Sequence, residues 1–170
     1  DAGKPFLEKA LDEVRREAGR HRYDIFCTDY EVPISEPPTI CFDERCLGGF
    51  RDFAGIAADT PLTPSRLLED YLTLWTDFHA RKNAALLRRI REAVKAAVPE
   101  ADYMVYSGYQ SDYTKRHYGV DWELLQPVID IGSAGYGRKV DWVAATVEAL
   151  GPKPLVGGVI EYERSTRPHT

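Results

Sequence analysis

The chain has 170 residues, 44% hydrophobic and 29% charged, which suits one globular domain with a sizeable core. Lysine and arginine total 22 against 27 aspartates and glutamates, for a formal charge of -5 and a pI near 5.4, so no broad basic surface exists to neutralise phosphates and nucleic acid is excluded as a favoured partner. No stretch approaches the roughly 20 apolar residues that span a bilayer, and no charged start leads into an apolar signal core, so no membrane association is expected.

Taken in chain order, Phe6, Leu7, Ala10, Leu11, Val14 and Ala18 recur at helical spacing, and Gly19 is placed to end that helix. A first strand is expected at about 23–29, an apolar run that breaks into the acidic residues Asp29 and Glu31. Residues 32–63 form a long connection rich in Pro and Gly, with room for one short helix in which Cys46, Phe50 and Phe53 share a face. Thr63-Pro64 is a cap and first-turn pair for a long helix whose stripe runs through Leu67, Tyr71, Leu74, Trp75, Phe78, Leu86, Ile90, Val94 and Ala97, until Pro99 stops it. The pattern then repeats. A strand is expected at 103–106, a short helix at 121–126, a strand at 127–131, a helix over 140–150 ended by Gly151, and a strand at 154–161.

Short apolar strands alternating with helices predict an α/β fold, a parallel sheet with helices on its outer side. A closed eight-stranded (β/α)8 TIM barrel takes about 250 residues, so this chain reads as a single segment, residues 1–170, covering about the second half of such a barrel. With the leading helix as the third of the barrel, the strands become four to seven.

In such barrels the chemistry sits at the C-terminal strand ends. Glu31 would then end the fourth strand and Glu161 the seventh, facing one another across the mouth. Glycoside hydrolysis needs two carboxyl groups, roughly 5–5.5 Å apart for retention and about 6.5–9.5 Å apart for inversion. Glu31 is assigned as acid/base and Glu161 as nucleophile, with Glu163 of the same strand parity competing for the second role. Asp29, two residues before Glu31 on the same strand face, would raise the proton affinity of Glu31 or orient a substrate group. The other strand ends are polar and aromatic, and Tyr106, Tyr109, Gln110, Asp130, Tyr136 and Arg138 are candidate sugar-binding residues. Gly132, Gly135 and Gly137 lack the phosphate-loop and dinucleotide spacings and read as turn residues.

The four histidines form no ligand pair, and no cofactor or metal is expected. The three cysteines read as a buried strand thiol at Cys27 and two loop cysteines, with a Cys41–Cys46 disulfide or a zinc site as the alternatives. A disulfide would favour an exported protein, secreted or periplasmic.

Asp29-Tyr-Glu-Val-Pro33, Cys41-Phe-Asp-Glu-Arg-Cys46-Leu-Gly-Gly-Phe50, the helix carrying Trp75 and Phe78, Tyr118-Gly-Val-Asp-Trp122 and Gly135-Tyr-Gly-Arg138 together resemble a group of bacterial barrel proteins classed as glycoside hydrolases. The placement is similar to clan A retaining glycosidases, which implies the acid/base role for Glu31 and the nucleophile role for Glu161. Tyr30 stands where that clan usually has Asn. The Asp29-x-Glu31 pair is also similar to the strand-four ending of chitinase-like barrels, in which an aspartate assists the acid. The expected activity is therefore hydrolysis of a β-linked oligo- or polysaccharide, retention favoured. A non-catalytic carbohydrate-binding barrel and a structural subunit are the alternatives.

Overall fold

The computed structural model describes residues 5–34, 42–135 and 139–157. The amphipathic first segment forms α1 (Phe6–His21), two residues longer than Gly19 suggested, and closes on Arg22 in the left-handed conformation at φ 50. Gly19 serves packing instead, since its missing side chain faces Ala97. Strand β1 (Ile25–Asp29) follows. The long connection then holds α2 (Glu44–Ala54), whose first turn is capped by the Asp43 carboxylate accepting from Cys46 N at 2.8 Å.

Thr63 caps α3 (Pro64–Asp70), its hydroxyl accepting from Arg66 N. One long helix was expected from there. The backbone instead breaks at Tyr71, at φ -125 and ψ 12, before α4 (Leu72–Ala97). Phe50, Leu67 and Trp75 form a separate small core at this break, packed with Phe42, Leu47, Tyr71 and Phe78. The bend lets both helices wrap that aromatic cluster, in which Phe50 meets Trp75 edge to face at 5.0 Å.

Strand β2 (Asp102–Gly108) runs two residues past its expected end and leads into α5 (Asp112–Tyr118), a helix the apolar pattern did not announce. Helix α6 (Trp122–Leu125), strand β3 (Ile131–Gly135), helix α7 (Val140–Leu150) and strand β4 (Leu155–Gly157) complete the described order. Residues 158–161 of the expected last strand lie outside the described residues.

The third strand departs most from expectation. Val128 N and Ile129 N donate to Leu125 O, so the Pro127-Val-Ile segment is the end turn of α6, with Val128 and Ile129 in the core. The strand is the following Ile-Gly-Ser-Ala-Gly, two of whose glycines had read as turn residues. Its small side chains follow from what lies above. A Cβ on Gly132 would stand 2.6 Å from Leu150 Cδ1 and 3.4 Å from the Trp122 ring, both fully buried.

All four strands are parallel, in the order β1-β2-β3-β4. Phe26, Tyr103, Val105 and Ala134 face one core with Val14 of α1, Leu87 and Ile90 of α4, Trp122 and Leu125 of α6, and Val143 and Leu150 of α7. These helices therefore cover one face of the sheet. The opposite face carries Ile25, Cys27 and Asp29, in register with Asp102, Met104 and Tyr106, then Ile131 and Ser133. On it Ile25 is 47% and Val156 54% exposed, and the Cys27 thiol is free and exposed. Cys27 was expected to be buried; its strand position turns it to the uncovered side.

Because Leu150 is fixed by full burial, Gly132→Ala should destabilise the protein by about 1–3 kcal/mol. Adding Leu150→Val should recover part of that loss. Urea denaturation of the single and double variants measures both.

Candidate functional site

The chain leaves β1 along the C-terminal edge of the sheet, held by three hydrogen bonds. Tyr30 N donates to Tyr106 O at 2.9 Å, Ser107 Oγ donates to Tyr30 O at 2.8 Å, and Ile34 N donates to His117 O at 2.6 Å. Glu31 is therefore pinned between β2 and α5. It lines a recess of about 230 Å3 with Gly108, Tyr109, Tyr113, Thr114, Tyr118, Gly135 and Trp142. Its Oε1 is buried and has no hydrogen-bond partner among the described residues. Burial raises the Glu31 pKa above its ordinary value, the negative charge of Asp29 raises it further, and His117 opposes both. Asp29 stays exposed at the strand end. Burial alone pushes the neighbouring Tyr30 phenol up to about 12, so it remains a neutral hydroxyl.

Tyr106 and Tyr109 are on the same rim. The Tyr106 ring lies across the next strand, where a Cβ on Gly135 would stand 2.5 Å from its hydroxyl oxygen. Tyr109 is 3% exposed and forms part of the recess wall. Gln110 is 8% exposed and is held by the neighbouring chain. Its amide donates to Asp121 Oδ1 at 2.9 Å and its Oε1 accepts from Trp122 N at 3.0 Å, which ties the start of α6 to the end of β2. Tyr136, Arg138 and Glu161 lie outside the described residues, and so does Glu163.

Asp130 is a correction. It precedes β3 rather than ending a strand, because that strand begins at Ile131. Its backbone N donates to Tyr103 O near the start of β2, at the end of the sheet remote from Glu31. There its carboxylate accepts from Tyr103 N at 3.0 Å and pairs with Arg91 at 3.0 Å and Lys95 at 2.9 Å. Burial would raise its pKa, but the Tyr103 amide and the two cations outweigh that and hold it at about 2. Asp130 braces the sheet at the end opposite the rim on which it was expected.

Tyr113, His117, Tyr118 and Trp142 were not among the expected site residues. Three of them arrive with α5, whose capping was visible in the sequence: Ser111 Oγ accepts from Thr114 N at 3.1 Å, and Gly119 follows the basic last turn in the left-handed conformation. The tyrosine and histidine four residues apart stack at 5.0 Å and 18°.

Cys46 is disulfide-bonded, and its sulfur is then no thiolate for zinc; Cys41 lies outside the described residues. Among the described residues no group of three His, Cys, Asp or Glu converges as a metal site, and no helix is long and apolar enough to cross a membrane. Comparison with known protein families and with curated proteins finds no match.

The Asp130 brace gives a pH-dependent stability. Its folded-state pKa is depressed from 3.8, so its contribution is present above that value and is lost as pH falls towards 2. Asp130→Asn should cost about 2 kcal/mol near neutrality, with the gap from the unsubstituted protein closing between about pH 4 and pH 2. Denaturation at a series of pH values checks it, and a constant gap would refute the assignment.

Proposed function

We propose that the protein is a glycoside hydrolase in which Glu31 is the general acid. The observation that carries this reading is the state of the Glu31 carboxyl. It sits at the C-terminal edge of a parallel sheet, in an aromatic recess, with one oxygen buried and without a partner among the described residues and a second carboxylate two residues away. Those conditions shift the carboxyl towards its protonated form, the form that protonation of a departing glycosidic oxygen requires.

The finer fold proposed is a (β/α)8 barrel to which this chain contributes strands four to seven. Two features support it: the strand order follows the sequence without reversal, and the helices gather on one face. The bare face with Ile25, Met104 and Ile131 would then be the barrel interior. Glu161, four residues beyond the end of β4, is proposed as the nucleophile of a retaining mechanism on a β-linked carbohydrate.

In the full-length protein, Glu31→Gln should slow hydrolysis of natural glycosides by about 10²–10⁴-fold. Activated aryl glycosides, which leave unaided, should lose much less. Glu161→Gln should abolish both activities, since bond formation itself is lost. Equal loss on both substrate types for Glu31→Gln would remove Glu31 from the acid role. Sugar binding without hydrolysis in every version would favour a binding barrel.

Asp29 sets a further pH signature. Its charge disfavours the Glu31 carboxylate, so Asp29→Asn lowers the Glu31 pKa and the acid loses its proton at lower pH. The alkaline limb of kcat/KM should shift to lower pH, and an unmoved or raised limb would contradict the coupling.

A further inference from the structure

We infer that Tyr113 is the stacking platform for one neutral pyranose residue of the substrate, held in the recess beside Glu31; this rests on the carbohydrate reading above. Tyr113 is 59% exposed although it lines the recess. Such exposure of a large ring next to a buried carboxyl suits a face that a ligand covers.

The ring is also pre-set. It lies parallel to the His117 imidazole at 5.0 Å, and Tyr118 meets it edge-on at 6.5 Å and 86°. The helix carrying it is fixed to the sheet by Thr114, which is 3% exposed and packs so closely over Gly108 that a Cβ there would stand 2.7 Å from Thr114 Oγ1. A platform held in this way loses little rotamer freedom on binding. One face of the phenol ring is given to the imidazole, which leaves the other for the apolar C–H face of a sugar.

Size and charge narrow the ligand. The recess, about 230 Å3, falls below the roughly 300–1,000 Å3 of clefts that enclose drug-sized molecules, and fits a single ring. Asp29 brings a negative charge to this edge beside Glu31, so an acidic sugar would meet like charge. The preferred unit is therefore uncharged.

The test uses the full-length Glu31→Gln variant, which binds without turnover, on an array of neutral and acidic glycans, followed by calorimetry with the best neutral tetrasaccharide. Adding Tyr113→Ala should weaken that binding about tenfold, as expected for loss of one aromatic stacking contact. Tyr113→Phe should retain affinity and Tyr113→Trp should retain or raise it. Circular dichroism and Tm verify folding, and the Phe and Trp variants give the answer should the Ala variant misfold. Binding of glycans undiminished by Tyr113→Ala, or a preference for acidic ones, overturns the platform while leaving the hydrolase reading standing. No binding to any glycan overturns both.

Discussion

Everything at the upper edge of this sheet hangs from Trp122. Its ring is fully buried against Gly132, its indole N–H donates to Gly108 O at 2.9 Å, and its backbone N–H donates to the Gln110 side chain at 3.0 Å. A single residue thus joins the interior packing of β3 to the last residue of β2 and to the loop that precedes α5. Gln110 N donates in turn to Thr146 Oγ1 of α7 at 2.8 Å, so the loop, both strands and the last helix form one hydrogen-bonded unit. Buried polar groups arranged like this are costly to break, because each loss strands a partner away from water. The walls around Glu31 are positioned by that unit.

Electrostatics divide the sheet between its two ends. At the N-terminal end, Asp130 is surrounded by donors and cations that stabilise its negative form. At the C-terminal end, Glu31 lies among aromatic rings with Asp29 close by, and burial and that charge push its carboxyl above its ordinary pKa. The same functional group is held in opposite protonation preferences some strand length apart.

Much of this architecture was legible in the sequence, and the exceptions have a common cause. The stripes of α1 and α4, the Thr63-Pro64 start and the alternation of strands with helices are local patterns, and the structure follows them. Strand β3 has no apolar run to reveal it. Gly132 is demanded by Leu150 and Trp122 and Gly135 by the Tyr106 ring, all of which arrive from elsewhere in the chain. That displaced strand also moved Asp130 from the expected rim to the opposite end. Helix α5 lacks a wide apolar stripe, and only its caps marked it. The placement of Glu31 could be read because a strand ending in acids is a local signal. Its aromatic surroundings depend on α5 and α7 coming together, which no local pattern records.

The one-sided cover of the sheet also shapes how the chain meets other chains. Among the described residues, β1 and β4 each pair on one side only, leaving a row of backbone N–H and C=O groups open at both margins. Open margins beside an exposed apolar face invite further strands, and an unrelated copy would serve as readily as the proper neighbour. Closing the sheet into a cylinder would satisfy both margins and bury Ile25 and Val156 in the same step. A sheet with open margins pairs readily with further copies of itself, so solubility would report whether these edges are occupied.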